Sequence, residues 1–211
     1  SEAEVALANP EPDPEELRAM GEAVVAASRR TEALLASLLI LARSQRGLLR
    51  SEPVDLALAA RAGAALVERE AAAESVRVHV DATPAIVPGD AALLERLVAN
   101  LMENGVRYNR PGGTLDVVVA TEGSETALVR VENTGPPVDP EAARRLAEPF
   151  QRLDRTGDRR GAGLGLSIVA AVCEAHGGEL EIVPRVRGGL IVTVRLPLAV
   201  AADNASSLGA D

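Results

Sequence analysis

The stretch LLERLVANLMENGVRYNRPGG, residues 93–113, decides the fold, because on a helix it separates into two stripes. One stripe is apolar and is predicted to enter the core; its members are Leu94, Leu97, Val98, Leu101, Met102 and Gly105. A neighbouring polar arc of about 100° consists of Asn100, Asn104, Arg107 and Tyr108. Asn is a poor helix former, so two of them one turn apart indicate a binding site along the helix edge.

The composition excludes several classes of protein. The 211-residue chain has 31 acidic residues against 22 basic ones, all of them Arg, and a formal net charge of −9. A nucleic-acid-binding surface needs clustered positive charge, so we expect no nucleic-acid partner. No apolar run has the length of a membrane span and no signal peptide is visible, so we expect no membrane contact from this fragment. The single cysteine, Cys173, has apolar neighbours and is expected to be a buried hydrophobe.

The N-terminal part has the pattern of a coiled coil. Residues 15–47 carry apolar or small side chains at alternating spacings of three and four over more than three heptads. Residues 1–9 predict a short helical piece that ends at the breaker PEPDP. We interpret residues 1–50 as a truncated helical hairpin, mainly its second helix, that forms a homodimer. The alternative is one long helix packed on its own domain.

The rest of the chain predicts an α+β domain over residues 51–198. We expect a two-layer sandwich in which helices cover a mixed or antiparallel sheet, with a linker boundary near residues 48–53 and a disordered tail from residue 199 to 211. The predicted helices cover about 55–73, the Asn-bearing helix with Asp90 as N-cap, 140–147 and 164–176. The predicted strands lie near 76–80, 85–87, 115–121, 126–131, 179–183 and 190–196.

Three further motifs follow the Asn-bearing stretch. They are NTGPP at residues 133–137, EPF at 148–150 and GAGLGL at 161–166. Singly, NTGPP is typical of a turn and EPF of a helix end. Glycines ahead of a helix let backbone N–H groups approach a phosphate. A dinucleotide fingerprint needs a strand directly before its glycines, and a P-loop needs the lysine that this chain lacks.

In this order and spacing the motifs resemble those of sensor histidine kinases of two-component systems. NLMENGVRY, residues 100–108, is similar to the N box of that family, NTGPPV to its first glycine box, EPF to its F box and GAGLGL to its second glycine box. RRTEALLASLLILARSQRG, residues 29–47, is similar to the second helix of the dimerisation hairpin. The resemblance covers residues 1–197.

The resemblance implies a fold and an activity. It implies a GHKL-type ATPase domain with ATP and Mg²⁺ as cofactors, in a kinase that transfers the γ-phosphate to a His and then to an Asp of a response regulator receiver domain. The full-length protein would lie in the bacterial cell membrane, with this portion in the cytoplasm.

The same resemblance assigns roles to the residues of the polar arc. Asn104 would give its carbonyl oxygen to Mg²⁺, and Asn100 would lie near the metal and the phosphates. Gyrase-like ATPases have a Glu at the position of Asn100; an amide cannot act as a general base, so Asn100 favours phosphoryl transfer over hydrolysis. Arg107 would contact phosphate, and Tyr108 would line the nucleotide pocket.

Further roles fall on the loop before the last helix. Arg152, with Arg155 as a second candidate, would offset charge at the γ-phosphate in the transition state. The three glycines of the second glycine box would let a lid close over the phosphates. The remaining nucleotide-binding candidates, together with these glycines, are Gly135, Phe150, Gly161, Gly163, Leu164, Gly165 and Leu166.

The chain departs from the family pattern at three points. Asn133 stands where the family has the Asp that binds adenine; its carbonyl can accept from the adenine amino group, but without charge assistance. Pro137 replaces a glycine of the same box. Neither His79, on a predicted strand, nor His176, at a predicted helix end, has the context of a phosphoacceptor. We expect the fragment to begin just after the phosphoacceptor, and His176 to be structural.

Two alternative functions remain open. The departures at Asn133 and Pro137 would suit a degenerate GHKL nucleotide-binding or dimerisation module without kinase activity. A GHKL ATPase or a serine kinase would share the same motifs. A purely structural coiled coil would leave the ordered glycine motifs unexplained.

Overall fold

The computed structural model describes residues 17, 18, 20, 21, 24, 51–148 and 164–199. The chain divides into two compact units, Ser1–Leu39 and Ile40–Asp211. In the first unit the five described residues are helical. The remainder of the predicted hairpin, its heptad pattern and the predicted tail from residue 200 lie outside the described residues, so these expectations and the boundary near residue 50 stay predictions.

The described part of the second unit contains four helices and seven strands. The helices are α1 (Leu56–Ala73), α2 (Ala91–Arg107), α3 (Pro140–Arg145) and α4 (Gly165–Ala175). The strands are β1 (Glu52–Asp55), β2 (Arg77–Ala82), β3 (Ile86–Gly89), β4 (Thr114–Glu122), β5 (Thr126–Asn133), β6 (Glu179–Pro184) and β7 (Leu190–Pro197). Every helix and strand predicted within residues 51–198 is present.

Five strands form one mixed sheet in the order β2-β4-β5-β7-β6. The β2–β4 pair is parallel and the other three pairs are antiparallel. A parallel pair needs a long crossover connection, and α2 lies in the connection between β2 and β4. The predicted α+β sandwich with a mixed sheet is confirmed.

The helices α1, α2 and α4 pack against the sheet and one another. Residues of β4 and β5 alternate between a buried and a half-buried face over most of their length, and the buried face is aliphatic, as in Val117, Val119 and Val129. The predicted apolar stripe of α2 is in the core, where its five side chains from Leu94 to Met102 are 0–2% exposed. The core is therefore built around α2.

Two glycines permit this close packing of α2. A Cβ on Gly105 of α2 would lie 2.3 Å from the Leu115 side chain of β4, and one on Gly63 of α1 would lie 2.7 Å from the Met102 sulfur. Both distances are far below ordinary contact, so the helix approaches its neighbours where side chains are absent.

Strand β1 corrects the sequence analysis, which assigned Glu52 and Pro53 to a linker. The strand pairs antiparallel with β3 in a separate two-stranded sheet. Pro lacks an N–H and is tolerated in edge strands, so a short Pro-containing strand leaves little pattern in the sequence. Its last residue, Asp55, caps α1 by accepting from the Ala57 N–H and also accepts from the Ala85 N–H.

The predicted N-cap of α2 is confirmed, and a histidine is tied to it. The Asp90 carboxylate accepts from the Leu93 N–H, while the Asp90 N–H donates to Nε2 of His176 at 3.2 Å. Because Nε2 accepts, the ring proton is on Nδ1, which donates to the Val172 carbonyl at 2.7 Å. The buried His176 thus joins the end of α4 to the start of α2, in the structural role expected from its sequence position.

Among the residues that the structure describes, no helix is long and apolar enough to cross a lipid bilayer.

The two histidines allow a matched test of this joint. His176→Ala should lower the free energy of unfolding by about 1–3 kcal/mol, because it leaves the Asp90 N–H and the Val172 carbonyl without this partner. His79 is exposed on β2, so His79→Ala should change the free energy of unfolding by less than about 0.5 kcal/mol. Urea denaturation of both variants measures the difference, and equal midpoints would contradict the assignment.

Candidate functional site

The polar edge of α2 carries two unsatisfied amides. The side-chain Nδ2 atoms of Asn100 and Asn104 are buried and have no hydrogen-bond partner; among the side chains that the structure describes they are the only such buried atoms. Asn100 is 3% exposed. Native proteins pair almost all of their buried polar groups, so two orphaned donors one turn apart indicate a place for an external acceptor.

The first turn of α4 lies against one of these amides. A Cβ on Gly165 would lie 2.5 Å from Nδ2 of Asn104 and 2.9 Å from its Oδ1. Only a glycine allows α4 to begin this close to the amide. The Asn104 amide of the N box therefore lies beside Gly165 of the second glycine box.

The start of α4 has no side-chain cap. Its N-cap residue is the buried Leu164, and the buried Ser167 donates its hydroxyl to the Leu164 carbonyl instead of capping the N–H groups. Leu166 is half-buried in the first turn. No side chain of the described residues caps the first N–H groups of α4, and these groups, together with the helix dipole, favour an anion beside Asn104.

The C-terminal end of α2, one turn beyond Asn104, carries the remaining members of the polar arc. Arg107 is the last residue of the helix and is half-buried, and Tyr108 is the C-cap with a side chain that is 38% exposed. The Tyr108 N–H donates to the Asn104 carbonyl at 3.0 Å. The predicted arc thus runs from the buried Asn100 to an exposed phenol.

The first glycine box lies against this same end of α2. Asn133 ends β5, is 7% exposed, and donates from Nδ2 to the carbonyls of Thr134 at 2.9 Å and Tyr108 at 3.4 Å. A Cβ on Gly135 would lie 2.8 Å from the Tyr108 carbonyl oxygen. Behind the box, the Gly189 N–H donates to the Pro136 carbonyl at 2.9 Å. The box is therefore held between α2 and the β6–β7 turn.

A polar network that the sequence analysis missed holds these elements together. The Thr134 hydroxyl donates to Oδ1 of Asn109 at 2.6 Å and accepts from the Thr114 N–H at 2.9 Å. Nδ2 of Asn109 lies 2.9 Å from the carbonyls of both Gly105 and Thr114. The Asn109 position in the turn motif NRPGG indicates a side-chain-to-backbone bond, whereas nothing local marks Thr134 as its partner.

The remaining predicted site residues Phe150, Arg152, Arg155, Gly161 and Gly163 lie outside the described residues. Among the predicted site residues that the structure describes, Asn104 lies beside Gly165, and Tyr108 lies beside both Asn133 and Gly135. No group of three or more His, Cys, Asp and Glu side chains that could hold a metal occurs within residues 51–148 and 164–199. A cation at this site would instead use amide oxygens and ligand oxygens, which suits Mg²⁺.

The single cysteine is not part of this site. Burial, together with the negative charges of Glu179 and Glu174, raises the pKa of the Cys173 thiol from 9.0 to about 12. The thiol is therefore protonated at neutral pH, and a thiolate nucleophile is excluded. The expectation of a buried hydrophobe is confirmed.

Comparison with known proteins gives concordant results. The family model described as "Histidine kinase-, DNA gyrase B-, and HSP90-like ATPase" matches residues 89–200. The sensor protein CutS of Streptomyces coelicolor is 43% identical over 188 residues, 88% of this chain and 45% of CutS. The kinase/phosphatase MprB of Mycobacterium ulcerans is 33% identical over 175 residues, 83% of this chain and 34% of MprB. The chain thus spans less than half the length of these curated relatives.

Two solved structures share the fold. The mycobacterial sensor histidine kinase MprB superimposes with a TM-score of 0.63 at 28% identity, over 70% of this chain and 97% of that one. Full-length ShkA, solved in complex with AMPPNP, has a TM-score of 0.74 at 23% identity, over 92% of this chain and 41% of that one. The sequence resemblance and the predicted fold are both confirmed.

The raised pKa of Cys173 predicts slow alkylation of the folded chain. The shift from 9.0 to about 12 lowers the thiolate fraction near neutral pH about 1000-fold, so iodoacetamide at pH 8 should label the thiol only when urea unfolds the chain. Because the unfolded chain loses this proton first, the free energy of unfolding should also fall as the pH rises from about 9 to about 12. Rapid labelling without urea would contradict the burial.

The contact between Gly165 and Asn104 predicts a loss of binding without a loss of stability. Gly165→Ala should displace the Asn104 amide and weaken binding of Mg-ATP, the ligand that the resemblance implies, by about tenfold or more. Ala is favoured over Gly in helices, so the melting temperature should be unchanged or higher. The matched control is Gly21→Ala, at a helical glycine with open space around it. Calorimetric titration checks both variants, and undiminished affinity of Gly165→Ala would refute the site.

Proposed function

The chain belongs to the family of histidine kinase-, DNA gyrase B- and HSP90-like ATPases, and from this premise we propose that it is the ATP-binding catalytic part of a two-component sensor histidine kinase. It binds Mg-ATP along the edge of α2 and delivers the γ-phosphate to a histidine, from which an aspartate of a response regulator receives it. The observation that carries the proposal is the pair of buried, unpaired amides of Asn100 and Asn104 beside the uncapped start of α4.

The amides fit the triphosphate and its metal. No hydrogen bond fixes the amide of Asn104 or of Asn100 in the described part of the chain, so each can present its N–H to a phosphate oxygen or its carbonyl to a cation. Asn104 is the proposed ligand of Mg²⁺, which neutralises charge on the phosphates when it is bound. The N–H groups at the start of α4 bind phosphate oxygens beside it.

The neutral amide of Asn100 favours phosphoryl transfer over hydrolysis. Hydrolysis needs a group that takes a proton from the attacking water, and an amide does not do so. Glu103, the nearest carboxylate along α2, pairs with Arg96 at 3.5 Å instead. In the proposed reaction this part of the chain therefore positions the phosphates. Groups around the acceptor histidine activate that histidine.

The loop before α4 supplies the remaining proposed contacts. Arg152 offsets charge at the γ-phosphate, with Arg155 as the second candidate, while Phe150 and the glycines at 161 and 163 enclose the nucleotide. The support for this assignment is that Gly165, two residues after Gly163, lies beside the Asn104 amide.

The adenine is proposed to bind at the C-terminal end of α2, one turn beyond Asn104. The side-chain carbonyl of Asn133 accepts a hydrogen bond from the amino group of the base. Tyr108, whose side chain is 38% exposed, lines the pocket together with Gly135. Arg107, one residue before the C-cap, contacts phosphate. This places the long axis of the nucleotide along the polar arc of α2.

The partners and location follow from the relatives. CutS, MprB and CusS of Escherichia coli are named as sensor or signal-transduction proteins. By analogy we propose a homodimer through the N-terminal helices, a response regulator receiver domain as the phosphate acceptor, and a cytoplasmic position within a membrane-anchored full-length protein.

Titration with nucleotide tests the proposal. Mg-ATP should raise the melting temperature of the chain, and Asn104→Ala should remove the Mg²⁺-dependent part of that shift because it removes the proposed metal ligand. The control is Glu95→Ala, on the exposed side of α2, which should bind as the unsubstituted chain does. An equal shift for Asn104→Ala would reject the ligand role, and no shift in the unsubstituted chain would favour a nucleotide-free dimerisation module.

Labelled ATP separates the remaining alternatives. We expect the chain to bind nucleotide without labelling itself, since both ring nitrogens of His176 are engaged and His79 is on a strand. Acid-labile label on this chain would show that one of them is the acceptor. Acid-stable label would indicate a serine kinase, and steady phosphate release an ATPase.

A further inference from the structure

Strand β2 is an open edge of the main sheet. The strand order β2-β4-β5-β7-β6 gives β2 one neighbour, β4, among the strands that the structure describes. The N–H groups of Arg77 and Thr83 donate to carbonyls on the β4 side. Backbone groups point alternately to the two sides of a strand, so the N–H and C=O groups of Val78 and Val80 point away from β4.

The outward backbone groups of Val78 and Val80 have no partner in the described part of the chain. The next outward carbonyl, that of Ala82, accepts from the Arg61 side chain of α1 at 2.9 Å. The side chains of Val78 and Val80 lie on the core face and are only half-buried, whereas the residues paired with them in β4 are fully buried. Unpaired N–H and C=O groups on such an edge are a template for another strand.

The outer face of β2 carries a charge pattern that is complementary to itself. Arg77, His79 and Asp81 are exposed on this face, with the opposite charges at equal distances on either side of His79. Neither Arg77 nor Asp81 forms an ion pair with any residue that the structure describes. Charged side chains keep a second strand away where like charges would meet, whereas opposite charges that face each other stabilise the pair.

The opposite edge of the sheet is protected against pairing. Strand β6 has Glu179 and Glu181 on one face, so no register of two β6 strands would bring opposite charges together. Helix α3 packs against β6, and Pro184 at the end of the strand has no N–H to donate. Strand β2 contains no proline, and its two charges differ in sign. The two edges therefore differ in the feature that controls pairing with a second copy.

We propose that β2 is an interface with a second copy of this chain, in which two β2 strands pair antiparallel about a two-fold axis at His79 and join the two sheets into one. In this register Arg77 lies opposite Asp81 of the second copy, and Val78 exchanges backbone hydrogen bonds with Val80 of the second copy. The axis repeats each contact, as in other isologous interfaces. The inference concerns a surface outside the nucleotide site and does not depend on the proposed function.

The free backbone groups select this register among the antiparallel ones. Residues that exchange hydrogen bonds must have outward N–H and C=O groups, as Val78 and Val80 do. An axis at Val80 would compete for the Ala82 carbonyl, which already accepts from a side chain of α1. An axis at Val78 would need the N–H of Val76, which already donates to a carbonyl of α1. The axis at His79 uses free groups alone and pairs both charges.

Cysteine crosslinking of the whole chain tests the register. Two short strand edges form a small interface, so the contact is transient and a disulfide is needed to trap it. Residues that face each other in a non-hydrogen-bonded pair have Cα atoms about 4.5 Å apart, which a disulfide can span. During oxidation with copper-phenanthroline, His79→Cys should therefore form a disulfide-linked dimer, measured on a non-reducing gel.

The matched control is Thr83→Cys, at an exposed position that keeps both charges and lies far from the axis. His79→Cys should crosslink at least about tenfold faster than Thr83→Cys, because only its thiols face each other. The unsubstituted chain controls for Cys173, which is buried and should not crosslink. Equal rates for the two variants, or no crosslinked dimer from His79→Cys, would overturn the inference.

Charge reversal in the His79→Cys chain gives the second arm. Arg77→Glu should slow crosslinking by about fivefold or more, because it places like charges opposite each other at both ends of the pair. Adding Asp81→Arg restores opposite charges and should recover the rate. A rate that does not change with Arg77→Glu, or that the second exchange does not recover, would overturn the inference. Both arms are measured without nucleotide, so either result leaves the proposed function in place.

Discussion

The packing of α2 between the sheet and the other helices is the constraint on which the remaining structure depends. One flank of this helix fills the core, and its neighbour carries the amides of Asn100 and Asn104. Gly105 brings the helix onto Leu115 of β4, so the depth of the helix in the core also sets the height of the amides at its edge. The contact between Gly105 and Leu115 thus determines both the packing of the core and the position of the two amides.

On both sides of α2, a glycine allows a neighbouring element to approach the helix closely. Gly165 lets α4 begin at the Asn104 amide, and Gly135 lets the turn after β5 reach the Tyr108 carbonyl. A side chain at Gly135 would meet the Tyr108 backbone, and one at Gly165 would displace the Asn104 amide. The glycines of these motifs therefore stand at positions where two elements approach closely. This explains why the spacing of the glycines identifies the motifs better than their number does.

Local patterns in the sequence predicted the helices and strands. The contacts that the sequence did not predict join residues that are far apart in the chain. The stripe of α2, the Asp90 cap and the alternating strands depend on neighbours within a few residues. The bond between Asn109 and Thr134 joins residues 25 positions apart, and so does the contact from Asn133 to Tyr108. The sequence identified Asn133 as a departure from the family pattern. Its backbone partners, the Thr134 and Tyr108 carbonyls, are visible only in the fold.

Charge explains why neutral groups suit the proposed site. The chain has a net charge of −9 and its proposed ligand is a polyanion, so every carboxylate near the phosphates adds repulsion. Repulsion from distant charges is screened beyond about 8 Å at physiological ionic strength, which leaves the nearby groups to decide. At the places nearest to the proposed ligand the chain has the amides of Asn100, Asn104 and Asn133 and the uncapped start of a helix. Amides and a helix N-terminus donate hydrogen bonds without carrying a full charge, so in an acidic protein they can add to the phosphate contacts proposed for Arg107 and Arg152.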